Sequence, residues 1–309
     1  MASGGGERVA AFQRGRENAL QRTYRYLRIG VVGSVVLLCV AVLVAMAQVG
    51  VLPSISAYYY SPARDGFVGA LIAVALALLA LSGRGAGRAL LDAAALFAPI
   101  IAFVPTQIED GWFAHVDLDC AGATACIPDA VLPAVDNGVL SYLIVGALLL
   151  ALALGLGIRW NRTESAGALR QIWPSLVVAG AVLLAVWLLW WLAPAFFLRW
   201  AHYGATIAFF VIIAVVAVLE AFGMRSDAPR RPPRRFRIAY IAIAVAICAD
   251  LVFIGLLDGL QLSVPPVLVC EFIALGLFAA FWILQTIEKW DVRDPGYRSH
   301  ATDPAADRR

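Results

Sequence analysis

The chain has 309 residues, 62% hydrophobic and only 15% charged, with a formal net charge of +3 and a mean hydropathy of +0.82. Soluble domains are nearer half apolar and about a quarter charged, so this composition excludes a soluble globule. Nothing in it points to a nucleic-acid partner or a cofactor. The three histidines, His115, His202 and His300, are too widely spaced for a metal signature.

Taken in chain order, residues 1–26 are polar and contain Gly and Arg, and predict a mobile tail outside the membrane. Eight apolar blocks follow, over 28–50, 66–82, 89–105, 138–158, 172–193, 201–222, 237–257 and 264–285. A hydrocarbon core about 30 Å thick asks for about 20 apolar residues at ~1.5 Å per residue. The second and third blocks are short but adequate. The expected fold is therefore all-α, a polytopic transmembrane bundle of about eight spans over 27–285, followed by a polar tail over 286–309. Ala45-Met46-Ala47 matches a signal-peptidase pattern after an apolar run. The first block is nonetheless read as a permanent span; cleavage there would leave seven.

Charge sets the orientation. Of 24 Lys and Arg residues, all but Arg64 and Arg199 lie on the N-terminal tail, 83–88, 159–171, 223–237 and the C-terminal tail. The loop 106–137 on the opposite set holds Glu109, Asp110, Asp117, Asp119, Asp129 and Asp136 and no Lys or Arg. Basic flanks stay where the chain is made, so both termini are expected in the cytoplasm and the protein in the plasma membrane. Trp160, Trp173 and Trp290 mark the inner boundary; Tyr58, Tyr59, Tyr60, Trp190, Trp191 and Trp200 mark the outer one, as an interfacial belt.

Residues 52–69 contain Pro53-Ser54-Ile55-Ser56-Ala57-Tyr58-Tyr59 and then Arg64-Asp65-Gly66-Phe67-Val68-Gly69. This resembles the P-S-I-S-x-Y-Y…R-D-x-F-V-G signature of a family of uncharacterised bacterial multi-span membrane proteins. Phe103-Val104-Pro105-Thr106, His202-Tyr203-Gly204-Ala205 and Glu271-Phe272-Ile273-Ala274-Leu275 look similar to the same family. The arrangement also loosely resembles the eukaryotic DRAM and FRAG group, implicated in autophagy and GPI-lipid remodelling. The likeness covers spans one to three and six to eight and departs at 107–200, where a long acidic loop and two extra spans intervene. It implies a multi-span architecture and no residue-level chemistry.

Physically, 53–67 reads as a helix entry, with Ser61 as cap, Pro62 in the first turn and Asp65 complementing the helix dipole. Arg64 sits at the outer interface, able to snorkel to lipid phosphates or pair with a carboxylate. A second reading makes this stretch the rim of an outward-facing polar pocket. Asp250 and Glu271 lie on consecutive spans, each ten or eleven residues from a turn centred near Leu260 and Gln261. At ~1.5 Å per residue both should sit at one depth, roughly 10 Å below the outer surface. A lone carboxylate inside a span costs about 3 kcal/mol or more, so such residues face the bundle or a wet cavity. With His202, Arg64, Asp65, Ser54 and Ser56 they form a candidate polar cluster in which close carboxylates would share a proton. The bland alternative is that each acid is bonded to a neighbouring helix and simply holds the bundle together. Glu220 and Asp92, near inner helix ends, are expected to reach water.

Three functions remain open on these residues. One is a non-enzymatic protein binding lipid or scaffolding partners. The second is an intramembrane lipid-modifying enzyme using Asp250, Glu271 and His202. The third is a proton-coupled carrier. Membrane lipid is the expected partner in the first two.

Cys39, Cys248 and Cys270 fall inside apolar blocks, whereas Cys120 and Cys126 share the polar outer loop and are the plausible disulfide pair. Thiol alkylation of the intact protein should modify both only after reduction. Equal labelling without reductant would show two free thiols.

Overall fold

A computed structural model of the chain describes residues 3–82, 86–109, 124–163, 168–224, 231–257 and 265–290, with side chains from residue 22 onward. Eight helices make an all-α bundle: α1 Ser3–Val49, α2 Arg64–Leu81, α3 Ala86–Phe103, α4 Leu132–Thr163, α5 Ala168–Leu192, α6 Pro194–Phe222, α7 Arg234–Leu257 and α8 Pro266–Glu288. Seven of them, all but α3, are long and apolar enough to cross a membrane. The α3 helix nevertheless runs the depth of the bundle. It begins just after α2 ends at Leu81, and it finishes beside the loop that precedes α2.

Helix starts and stops follow local chemistry. Pro194 and Pro266 open α6 and α8 at their first positions, where a missing N–H costs nothing. Gly223 closes α6 with φ 67°, and the amides of Gly223 and Met224 turn back onto the Glu220 and Leu219 carbonyls. A side chain at Gly66 would place its Cβ 2.8 Å from that of Ala41, so glycine there lets α2 lie close on α1.

Two sequence expectations change. Residues 1–26 were expected to be a mobile tail, yet α1 is continuous from Ser3 to Val49. Beyond its glycines the segment carries Ala, Arg, Gln and Glu, good helix formers, and it propagates from an already folded span without a new nucleation cost. The helix α2 begins at Arg64, capped at Ala63 without a side-chain bond, so Ser61 and Pro62 lie before it. The Ser61 hydroxyl instead donates to the Tyr58 carbonyl at 2.7 Å and accepts from the Ala63 amide at 3.2 Å, which closes the preceding turn.

Packing separates a core from a periphery. Helices α1, α2, α3, α6, α7 and α8 pack each on the next, and α8 returns to α1, so six helices close a circle. The hairpin α4–α5 lies outside it, against α3 and the edge of α6. Half of the central window of α6 is buried, against 6% for α4 and 11% for α5. Outer-face residues such as Leu148, Leu152, Trp187 and Trp191 are exposed, as suits helices whose neighbour is lipid.

An aromatic column fills the middle of the circle. Phe209 meets Phe278 with ring centroids 5.4 Å apart, Phe278 meets Trp282 at 6.3 Å, Trp282 meets Phe281 at 5.3 Å and Phe281 meets Tyr240 at 5.8 Å. Phe281, Trp282 and Tyr240 are fully buried. Toward the end of the circle where α6 and α8 finish, expected from the charge pattern to be the inner one, the column runs into a polar network. Lys289 Nζ lies 2.7 Å from both carboxylate oxygens of Glu220, Gln285 Nε2 donates to the same carboxylate at 2.8 Å, and Tyr240 donates to Glu288 at 2.6 Å. Arg25 of α1 donates to the Trp290 carbonyl at 2.8 Å and stacks on its indole.

Glu220 therefore does not reach water as expected; it is 5% exposed and enclosed by Gln285 and Lys289. Asp92 is partly buried, 3.7 Å from Arg88 one turn away. Removing one partner of a buried pair leaves the other charge uncompensated. Lys289→Met should therefore cost about 3 kcal/mol and lower the thermal midpoint, and adding Glu220→Gln should restore most of the loss. An unchanged midpoint in Lys289→Met would show that the pair contributes nothing.

Candidate functional site

At the end of the circle where α1 finishes and α2 begins, expected from the charge pattern to be the outer one, the chain between them folds inward. Residues Ser56–Tyr60 form a single 3-10 turn, and Leu52, Ile55, Ala57, Tyr58 and Tyr59 are all buried. A buried irregular loop must satisfy its own backbone, and its side chains do so. The Tyr58 hydroxyl accepts from the Leu52 amide and donates to the Gly50 carbonyl, both at 2.9 Å. Ser54 Oγ accepts from the Ala57 amide at 3.1 Å and bonds Ser56 Oγ at 3.0 Å. Ser56 Oγ bonds Thr106 Oγ1 at 3.0 Å, and Tyr60 donates to the Thr106 carbonyl at 2.7 Å. Burial holds the Tyr58 and Tyr60 phenols above their ordinary range, so they remain donors at neutral pH. Tyr58 and Tyr59 are thus not the lipid-facing belt the sequence suggested; they fasten a plug.

Beneath the plug lies a cavity of about 80 Å³. All six helices of the circle line it, with Leu38 of α1, Phe67 of α2, Ile101 of α3, Thr206 of α6, Leu251 of α7 and Glu271 of α8 among its walls, and Ile55 and Ser56 at the plug. Phe209 and Phe278, the top of the aromatic column, also line it. The volume admits several waters or the end of one hydrocarbon chain, and excludes a whole two-chain lipid.

The predicted cluster is brought only partly together. Glu271 and His202 line the cavity with Ser56, and Ser54 stands one bond behind Ser56. Glu271 accepts the Ile55 amide through Oε2, which ties α8 to the plug. Asp250 is 6% exposed and is not part of the lining. It lies beside Cys270, and its Oδ2 is buried without a partner among the described residues. The two acids are neighbours, but no hydrogen bond joins them, so the shared proton expected of them is not seen. The reason is helix rotation: Glu271 turns inward, whereas Cys270 faces Asp250.

His202 is 4% exposed, and its Nδ1 bonds the Val104 carbonyl at 2.7 Å, with the Ile101 carbonyl also within reach of the imidazole. The last carbonyls of a helix lack intrahelical partners. His202 supplies one to the end of α3, and so binds α6 to α3. Arg64 lies outside the cavity, its guanidinium 4.5 Å over the Tyr59 ring and 2.8 Å from the Tyr59 hydroxyl. Asp65 is exposed in the first turn of α2.

The outer loop is described only at its ends, where Ile108–Glu109 pairs antiparallel with Ala125–Cys126. Cys126 is disulfide-bonded; Cys120, its expected partner, lies outside the described residues. Cys39, Cys248 and Cys270 are free thiols. Among the described residues no group of His, Cys, Asp and Glu is arranged to hold a metal ion.

Sequence reasoning passed over Thr106, Thr206 and Phe278. Thr106 stood inside the resembling Phe103–Thr106 stretch, and Phe278 recurs at helical spacing from Glu271 and Ala274, but a lone hydroxyl such as Thr206 gives no signal of its own.

If His202 is a fastening, His202→Ala should lower the thermal midpoint by leaving a buried carbonyl unpaired, at a cost of about 1–3 kcal/mol. His202→Asn, which keeps a donor, should recover part of it. Full stability in the alanine variant would contradict that role. No family model, curated protein or solved structure matches this chain.

Proposed function

We propose that this is an eight-span plasma-membrane protein, both ends cytoplasmic, that binds a single-tailed amphiphile or one tail of a lipid in the cavity beneath its outer plug. The observation that carries this reading is a chamber shared by all six helices of the circle, apolar along its walls and polar at its outer end. Such a gradient suits an apolar tail below and a hydrogen-bonding head above. The cytoplasmic placement of the termini rests on the basic flanks, which alternate with an acidic outer loop. The suspected kinship with the bacterial multi-span family agrees in one respect. The stretches that resemble it belong to helices of the circle and its plug, whereas α4–α5 stands outside.

A proton-coupled carrier is the second reading, favoured by one arrangement. Glu271 in the chamber and the Glu220–Lys289 pair lie at opposite ends of the same aromatic column. An intramembrane enzyme would need His202 as a free base, and that imidazole is engaged with the end of α3.

A photoactivatable fatty alcohol should label chamber residues, among them Phe67 and Leu275, and Ala274→Phe, which fills the chamber, should abolish that labelling. Adducts confined to the outer faces of α4 and α5 would refute the binding site. A reporter fused at the C-terminus should be active in the cytoplasm; activity outside the cell would refute the orientation.

A further inference from the structure

Resting on the reading of the chamber as a binding site, we infer that its preferred ligand is a small organic monocation, an ammonium group on a short apolar body. Among the described residues the chamber wall contains one carboxyl group, that of Glu271, and no Lys or Arg. The two basic residues on the outer side are committed elsewhere: Arg64 to Tyr59, and Arg199 to the Trp200 ring at 5.3 Å. A phosphate or carboxylate head would therefore find no counter-ion on this wall, whereas an ammonium finds a carboxyl group to pair with.

The acceptors agree with this sign. Glu271 Oε2 takes the Ile55 amide, the one hydrogen-bond donor that Glu271 has among the described residues, so Oε1 is left for a ligand. Thr206 of α6, also in the lining, has a buried Oγ1 without a partner among the described residues. An ammonium brings several N–H donors and no acceptor, which suits these two oxygens in an otherwise apolar wall.

The rest of the wall suits a cation as well. Phe67, Phe209, Phe210 and Phe278 all line the chamber. Aromatic faces attract cations, most strongly where water is excluded. The cavity of about 80 Å³ limits the body to a short chain. Asp250 is off the wall, so among the described residues Glu271 is the one carboxyl group that a ligand in the chamber meets.

The ammonium could be a free amine or the terminal amine of a lipid headgroup, and competition distinguishes them. Purified protein in nanodiscs would be photolabelled with the fatty alcohol in the presence of butylammonium, lysophosphatidylethanolamine, butanol or butyrate. Butylammonium should protect the chamber at a concentration at least tenfold lower than butanol, and butyrate should not protect. Glu271→Gln should erase the difference, and Glu271→Asp should keep it. If Glu271→Gln fails to fold, Thr206→Val, with Glu271 intact, should weaken butylammonium protection severalfold and leave butanol unaffected. Protection by lysophosphatidylethanolamine alone, lost in the same variants, would support the ammonium and identify the headgroup as its source. Equal protection by butanol and butylammonium would overturn the cation and leave the amphiphile reading standing. Failure of the alcohol to label the chamber at all would overturn both.

Discussion

Hydrocarbon offers no hydrogen bonds, so the polar groups this bundle buries are answered mainly from within the protein, with Asp250 Oδ2 and Thr206 Oγ1 among the exceptions. Nor does hydrophobicity pull one helix to another there, since a lipid tail is as apolar as a leucine. What holds the circle of six is close packing together with two polar collars. The outer one joins Ser54, Ser56, Thr106, His202 and Glu271, and links the plug to α3, α6 and α8. The inner one joins Glu220, Gln285 and Lys289, with Tyr240 on Glu288 beside it, and links α6, α7 and α8. Between the collars the contacts are aromatic and aliphatic.

That division explains where a chamber can exist. The plug is held at its rim by hydrogen bonds of fixed length and direction, which space the outer helix ends apart. Below it, Ala70 and Ala274 are small beside the bulky Phe209 and Phe278, and space remains at the plug's underside. The α4–α5 hairpin takes no part in either collar by any bond described here. Within the hairpin itself, Trp190 Nε1 donates to Asp136 Oδ1 at 3.1 Å.

Much of the fold was legible because lipid imposes a coarse code: length and apolarity marked each span. Boundaries slipped where something other than lipid decided. The start of α1 was misjudged because polar residues outside the bilayer form a helix by propensity, which leaves no apolar signature. Tyr58 and Tyr59 were read as belt because composition cannot tell a phenol facing lipid from one facing a buried loop. Equal depth for Asp250 and Glu271 followed from counting residues; which way each points depends on helix rotation, and a difference of one residue, Cys270 against Glu271, sends one side chain toward Asp250 and the other into the chamber. The burial of Glu220 was missed for a related reason: proximity to a helix end does not guarantee water when a neighbouring helix supplies Lys289.

The column of Phe278, Trp282, Phe281 and Tyr240 has an electrical consequence. Fully buried rings of Phe281, Trp282 and Tyr240 fill the described centre of the circle below the chamber, so ions or water passing there would have to displace them. Charge held above Phe278 is thereby separated from the Glu220–Lys289 pair by a low-dielectric aromatic stack.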